Sequence, residues 1–165
     1  MRIMKGIELA FVLLAATSLV AASDADVLQD IYTSTNGATW SNPWNVSTAI
    51  PYCNWYGVTC NSGGDVTALH LTANGLSGSL PASIGALQKV QQVWLDHNPG
   101  LGGVFPDVLY NMTSLTVLTA SNNAFTGPLP FQTGPLSAHL FQIDLSSNGF
   151  TGSIPSTLTA CTGLK

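Results

Sequence analysis

The chain is 165 residues long, carries a formal net charge of −4, and has only 7% charged residues. After residue 22 it contains two lysines against seven aspartates, which leaves a net charge of −5, and it has no arginine or glutamate. Nucleic-acid binding takes most of its affinity from lysine and arginine on phosphates, and membrane-surface helices also depend on basic residues, so this composition excludes both classes.

Residues 1–22 have the features of a secretory signal. Arg2 and Lys5 are followed by an apolar run at residues 9–22 that ends in small side chains. This run is shorter than the ~20 residues that a helix needs to span a bilayer. We therefore predict a cleaved signal peptide and a secreted or cell-surface protein, with an uncleaved anchor as the alternative. Asparagines 45 and 111, in Asn45-Val46-Ser47 and Asn111-Met112-Thr113, are predicted glycosylation sites.

Residues 23–65 are predicted to cap one end of the fold. Ser23 is placed to begin a helix, Asn36 and Gly37 to end it, and three apolar residues fall on one helical face (Val27, Leu28 and Ile31). Three tryptophans follow, Trp40, Trp44 and Trp55. Large aromatic side chains favour burial in the cap. A carbohydrate-binding platform is the alternative for these three rings.

A repeat of about 25 residues occupies the rest of the chain. Asparagines recur at spacings of 24, 25 and 25 residues, and prolines recur at 25, 24 and 25. Apolar side chains alternate with polar ones before each asparagine, which predicts a short strand with one buried face. The four asparagines are Asn74, Asn98, Asn123 and Asn148, and the four prolines are Pro81, Pro106, Pro130 and Pro155.

Each asparagine lies where the chain turns away from its strand. Its amide can donate to and accept from backbone groups that the turn leaves unpaired, so stacked repeats should form an internal asparagine ladder. One repeat cannot bury its apolar face alone, and stacking completes the core. We predict an α/β solenoid, a right-handed coil with short parallel strands on its concave face. The repeats are predicted at residues 66–89, 90–114, 115–139 and 140–163.

Two segments, NGLSGSLP at residues 74–81 and NGFTGSIP at residues 148–155, resemble the plant-type leucine-rich-repeat proteins. The segment CNWYGVTC at residues 53–60 is similar to the C-x-W-x-G-V-x-C signature of their amino-terminal cap, which implies a Cys53–Cys60 disulfide. Cys161 falls at a leucine position of the repeat and is expected to be buried and free. Residues 35–44 resemble caps in repeat proteins of protists and other microbes more than those of land-plant receptors.

The polar residues of the strands should face outward on the concave surface in columns that run from repeat to repeat. The first column is His70, Trp94, Thr119 and Asp144; the second is Thr72, Asp96, Ser121 and Ser146; a third, beyond them, is Ala73, His97, Asn122 and Ser147. Trp94 is either a binding anchor, since tryptophan is enriched at interface hot spots, or packs on its neighbours His70 and Thr119. Both interpretations remain open at this point.

No catalytic arrangement is expected on this surface. His70, Asp96 and Ser121 are the right residue types for a base, an orienting acid and a nucleophile, but they lie one repeat apart on an open face. Nothing there excludes water or shifts a pKa. We therefore expect no enzymatic activity, no cofactor and no metal site.

The function that these features favour is an extracellular recognition module, a receptor ectodomain or cell-surface protein that binds protein, peptide or glycan on its concave face. A secreted inhibitor of an extracellular hydrolase is one alternative, implied by the resemblance to polygalacturonase-inhibiting repeat proteins. A structural or adhesive wall protein is another. Leu164 falls where a fifth repeat should start, so we expect a longer repeat protein. A membrane is expected as a partner only through a segment that this chain lacks.

Overall fold

The computed structural model describes residues 22–47, 50–108, 112–130 and 139–164. The predicted signal peptide, apart from residue 22, and the predicted glycosylation site Asn111 lie outside the described residues. Within the described part, no helix is long and apolar enough to cross a membrane.

The amino-terminal cap begins with helix α1 (Asp24–Ser34). Ser23 caps it, because its hydroxyl accepts from the backbone N–H of Asp26 while the Asp26 carboxylate accepts from the Ser23 N–H. The predicted apolar face of the helix, Val27, Leu28 and Ile31, is fully buried. Asn36 then reverses the chain with a left-handed φ of 54°.

In the part of the chain that the structure describes, nine strands form two sheets. The concave sheet contains β1 (Val58–Cys60), β2 (Val66–His70), β4 (Gln92–Trp94), β6 (Val117–Thr119) and β8 (Gln142–Asp144), in the order β1-β2-β4-β6-β8. The second sheet contains β3 (Ser77–Ser79), β5 (Gly100–Val104), β7 (Ala124–Pro128) and β9 (Gly149–Thr151), in the order β3-β5-β7-β9. All pairs are parallel except β1 with β2. Each turn of the solenoid, called a rung below, therefore gives one strand to each sheet, which confirms the predicted solenoid. The sequence pattern did not predict the second sheet.

The core lies between the two sheets. Leu69, Val93, Leu118 and Ile143 stand opposite one another in the register of the concave sheet and point inward. On the other side Phe105, Phe125 and Phe150 pack against one another, with ring centroids 4.6 Å apart for the first pair, which is tilted, and 6.2 Å for the second, which is stacked. Burying one such side chain stabilises the fold by about 1.5–3 kcal/mol, and most of that burial comes from neighbouring rungs.

The tryptophans of the cap form part of this core. Trp40 and Trp44 are buried, with ring centroids 4.8 Å apart, and Trp44 stacks on the half-buried Trp55 at 5.2 Å. The indole N–H of Trp40 donates to the backbone carbonyl of Thr35 at 2.9 Å. The alternative of a carbohydrate platform is therefore wrong for Trp40 and Trp44, because their faces are covered.

A disulfide joins Cys53 to Cys60, with the two Cα atoms 5.5 Å apart. It ties the short 3-10 turn Tyr52–Asn54 to the first strand of the concave sheet, so the cap is anchored covalently where the sheet begins. Cys161 is not in a disulfide and is buried, and burial raises the pKa of its thiol.

Asn98, Asn123 and Asn148 bridge successive rungs, whereas the Oδ1 of Asn74 accepts from the backbone N–H and the side-chain amide of Asn42 in the cap. The side-chain N–H₂ of Asn98 donates to the carbonyls of Leu95, in its own rung, and Leu71, in the preceding rung, at 2.8 and 2.9 Å. Its Oδ1 accepts from the backbone N–H groups of Asn74 and Leu76, both at 3.0 Å. Asn123 makes the same pair of donations, to Leu95 and Ala120, and its Oδ1 accepts from the N–H of Asn98. Each of these side chains thus pairs backbone groups of two rungs that would otherwise lack hydrogen-bond partners.

Replacing Asn123 by Ala should lower the free energy of unfolding by about 1–3 kcal/mol, because it leaves backbone groups of two rungs without partners. Asn54→Ala is the matched control, since the side chain of Asn54 is exposed and makes no hydrogen bond to any described residue. That change should cost less than about 0.5 kcal/mol. Urea titration of both variants measures the difference, and equal midpoints would contradict the ladder.

Candidate functional site

The concave sheet presents its polar side chains in columns set by the strand register. His70, Trp94, Thr119 and Asp144 stand directly opposite one another in β2, β4, β6 and β8. Backbone pairing continues past the strand ends, since the N–H of Ala73 donates to the Asp96 carbonyl and that of His97 to the Ser121 carbonyl. The second column, Thr72, Asp96, Ser121 and Ser146, is therefore held in the same register. Neighbours in a column lie about 4.8 Å apart.

The third column has a conformation that the sequence pattern did not indicate. Ala73, His97, Asn122 and Ser147 all have positive φ angles, between 51° and 59°. None is a glycine, and the left-handed region costs such residues roughly 1–2 kcal/mol. Each lies directly before a ladder asparagine, whose hydrogen bonds hold the turn. This column therefore marks the edge of the concave surface, where the chain leaves the sheet.

Trp94 and His70 form a stacked pair. Their ring centroids are 4.3 Å apart and the planes differ by 18°. Nε2 of His70 lies 3.1 Å from Oε1 of Gln92, which fixes the imidazole beneath the indole. Trp94 remains 39% exposed. It therefore packs on His70 and still offers an aromatic surface to a ligand.

Asp96 organises the centre of the sheet. Its Oδ1 accepts from the backbone N–H of Ser121 at 2.7 Å and from the Ser121 hydroxyl at 2.8 Å. Its Oδ2 accepts from the Thr119 hydroxyl. Thr119 and Ser121 are only 8% and 6% exposed. The expectation that Thr119 stands free on the surface is wrong, because the Asp96 carboxylate reaches across from the preceding rung and engages it.

Asp144 is held within its own rung. Its Oδ1 accepts from the hydroxyl and the backbone N–H of Ser146, at 2.7 and 3.0 Å. The hydrogen bond from the Ser146 hydroxyl, and to a smaller extent that from the Ser146 N–H, holds the pKa of the Asp144 carboxyl below its usual value. The group is therefore ionised throughout the mildly acidic to neutral range.

These side chains surround a shallow depression of about 290 Å³, called the central depression below. Its lining residues are Trp94, Asp96, Thr119, Ser121, Gln142 and Asp144. Thr119 and Ser121 form the floor because they are short and buried, while the longer residues of the two flanking rungs form the walls. Gln142, and Gln92 two rungs before it in the same column, were absent from the predicted columns. The alternating pattern of polar residues would have included them if it had been followed two residues further toward the start of each strand.

The three residues considered for catalysis do not form a triad. The Ser121 hydroxyl donates to Asp96, and the recorded hydrogen bond of His70 is to Gln92. A nucleophilic serine would need its base within hydrogen-bond reach. The polar groups of this surface are instead held in place by one another.

The remaining predicted site residues lie at the margins. Thr72 is exposed at the cap end of the second column, and Ser146 is exposed at the opposite end. Asn45, the predicted glycosylation site that the structure describes, is exposed in the cap, where its Oδ1 lies 3.2 Å from the Ser47 hydroxyl.

Two family models match the chain. The leucine-rich-repeat N-terminal domain matches residues 21–61, and a leucine-rich repeat matches residues 139–161. Receptor-like protein kinase 7 of Arabidopsis thaliana is 36% identical over 124 residues, which is 73% of this chain and 12% of that protein. The chain thus spans about a tenth of the length of the curated relatives that it matches first.

Solved structures share the fold. The leucine-rich-repeat ectodomain of the plant membrane receptor kinase GASSHO1/SCHENGEN3 from Arabidopsis thaliana, in complex with CASPARIAN STRIP INTEGRITY FACTOR 2, superimposes with a TM-score of 0.66 and 28% identity. The match covers 84% of this chain and 17% of that one. A plant ice-binding protein superimposes with a TM-score of 0.74 and 27% identity over 87% of this chain and 46% of that one.

These relatives are land-plant proteins, so they give no support to the resemblance of residues 35–44 to microbial caps. The receptor kinases match through their repeat ectodomains, and nothing of the kinase carries over to this chain. The chain is a leucine-rich-repeat solenoid with a disulfide-bearing amino-terminal cap, similar in sequence and in fold to the ectodomains of plant receptor kinases.

Proposed function

We propose that this chain is an extracellular recognition module that binds a protein or peptide ligand on its concave sheet without altering it chemically. The observation that carries the proposal is the central depression, where an exposed tryptophan adjoins two fixed carboxylates. Tryptophan beside oriented polar groups is the composition typical of interface hot spots. The similarity to a receptor ectodomain in complex with a protein factor supports the same assignment.

The pre-ordered geometry favours binding. Stacking on His70 fixes the Trp94 ring, and three hydrogen bonds fix the Asp96 carboxylate. Side chains that are already ordered lose little conformational entropy when a ligand binds, so more of the contact energy contributes to affinity. A glycan is the less favoured ligand, because two of the tryptophans considered for stacking on sugars are buried in the cap.

Secretion, attachment to the cell surface and glycosylation of Asn45 are parts of the same proposal. They rest on the signal-like residues 1–22, the exposed sequon and the oxidised Cys53–Cys60 pair. The inhibitor of an extracellular hydrolase is a variant of this function, in which the bound partner is an enzyme. The wall-protein alternative differs, since it requires no single ligand on the concave sheet.

A second candidate function uses the second sheet. Strands β3, β5, β7 and β9 contain no charged residue, and their exposed side chains are short ones such as Ser79, Val104, Thr126 and Thr151. Val104 stands opposite Thr126 in the register, at the strand spacing of about 4.8 Å. The exposed columns, of which Val104, Thr126 and Gly149 form one, thus present small uncharged groups, and such a surface suits a flat solid. The fold shared with a plant ice-binding protein makes ice the specific candidate.

Trp94→Ala should weaken capture of the extracellular ligand by roughly thirtyfold, because truncating a hot-spot tryptophan costs about 2 kcal/mol. Val104→Ala is the control, since Val104 is 62% exposed on the second sheet. The two variants and the parent chain are immobilised, and proteins retained from extracellular extract are quantified by mass spectrometry. Retention that is equal for both variants would contradict the concave sheet as the binding surface.

Thr126→Lys should abolish any shaping of ice crystals, because it puts a long charged side chain in the middle of the second sheet. Thr72→Lys adds the same charge on the concave sheet and should leave ice growth unchanged. Microscopy of a growing ice crystal in each protein solution measures the effect. If the parent chain leaves ice growth unaltered, the second candidate is refuted.

A further inference from the structure

The central depression offers hydrogen-bond acceptors and few donors. The hydroxyls of Thr119 and Ser121 both donate to Asp96, and the Ser146 hydroxyl donates to Asp144. The donors nearest the two carboxylates are therefore occupied. A carboxylate has about four acceptor positions. Asp96 accepts three hydrogen bonds and keeps about one position, at Oδ2, whereas Asp144 accepts two at Oδ1 and keeps its Oδ2. The depression is suited to a ligand group that brings donors.

The two carboxylates are also not neutralised. Lys89 is the one lysine or arginine in the described residues, and it is exposed in the connection between the first and second rungs. Within the described part of the chain, no lysine or arginine is recorded in an ion pair with Asp96 or Asp144. Both charges therefore face solvent from a surface with little opposing charge, and they attract cations.

Trp94 supplies a flat wall beside these charges. One face of its ring is covered by the His70 imidazole of the preceding rung. Since the two rings are nearly parallel, the opposite face points along the sheet toward Thr119 of the next rung and lines the depression. Asp144 lies one rung further, so the ring face and that carboxylate are separated by two strand spacings, or roughly 10 Å.

We propose that the central depression binds an arginine side chain of a peptide ligand, with the guanidinium stacked on Trp94 and donating to Asp96, while Asp144 supplies a second negative charge across the depression. This inference rests on the proposed function and adds the chemistry of the ligand. A guanidinium is planar, carries five donors and stacks on aromatic rings, whereas a lysine ammonium is a compact, strongly hydrated charge. A cation is attracted to an exposed aromatic face, and donation to a carboxylate adds to the affinity.

The test compares three short peptides that differ at one position. Acetylated and amidated pentaglycine carrying arginine, lysine or citrulline at its centre is titrated into the ¹⁵N-labelled chain, and the Trp94 indole N–H resonance is followed. Citrulline has nearly the shape of arginine without its charge. We expect the arginine peptide to shift this resonance and to bind at least about fivefold more tightly than citrulline, the factor that roughly 1 kcal/mol represents.

Two charge-removing variants test whether Asp144 contributes to the preference for arginine. Asp144→Asn should reduce the preference for arginine over citrulline, whereas Asp30→Asn, which removes the same charge from the exposed face of helix α1, should leave it unchanged. Raising the salt concentration should weaken binding of the arginine peptide and leave binding of the citrulline peptide unchanged, because salt screens exposed charge pairs.

Equal binding of arginine and citrulline peptides by the parent chain would overturn the inference. Equal binding of the lysine and arginine peptides would also overturn it, because charge alone, without a stacked guanidinium, would then explain the binding. An equal effect of Asp30→Asn and Asp144→Asn would overturn it as well. None of these outcomes touches the proposed function, which is tested by the separate comparison of Trp94→Ala with Val104→Ala. If those two variants retain ligand equally, the proposed function fails whatever the peptides show.

Discussion

The fold depends on the asparagine side chain that bridges each pair of successive rungs. Its side-chain N–H₂ donates to backbone carbonyls of both rungs, and its Oδ1 accepts from backbone N–H groups of the preceding rung, as Asn98 does for Asn74 and Leu76. Without it, the tight turn after each concave strand would bury unpaired backbone groups at a cost of about 1–3 kcal/mol for each. The same bonds also hold the residue before each asparagine in its left-handed conformation. Because every rung turns at the same point, the stacked strands stay in register.

The side chains of the concave sheet are ordered because the strands are held in that register. Trp94 can stack on His70 because the two stand opposite each other in adjacent strands, and Asp96 reaches Thr119 and Ser121 for the same reason. The bonds of Asp96 contribute to the fold and to the order of the proposed binding surface. They join two rungs, and they fix a negative charge at the centre of the concave sheet. A solenoid thereby builds the proposed binding site from preordered side chains that belong to three separate repeats.

The sequence predicted the features that have a repeating or local signature. The asparagine spacing identified the rungs, the alternation identified the inward residues such as Val93 and Leu118, and the cap motif identified the Cys53–Cys60 bridge. The second sheet was missed because its strands are short and glycine-rich, and because their pairing depends on backbone approach between rungs. The burial of Thr119 was missed because it depends on a carboxylate from another rung. Contacts between columns have no period in the chain, so only coordinates reveal them.

Hydrogen exchange of single backbone amides tests the role of the asparagine ladder most directly. The N–H groups of Asn98 and Phe125 donate to side-chain oxygens, Oδ1 of Asn123 and Asn148, and not to a strand partner. If the ladder sustains the stacking, these amides exchange only by global unfolding, with the same opening free energy as the amide of Leu95 in the core of the concave sheet. Exchange of Asn98 and Phe125 through a local opening that costs several kcal/mol less would show that the rungs stack without the ladder, and the account would be wrong.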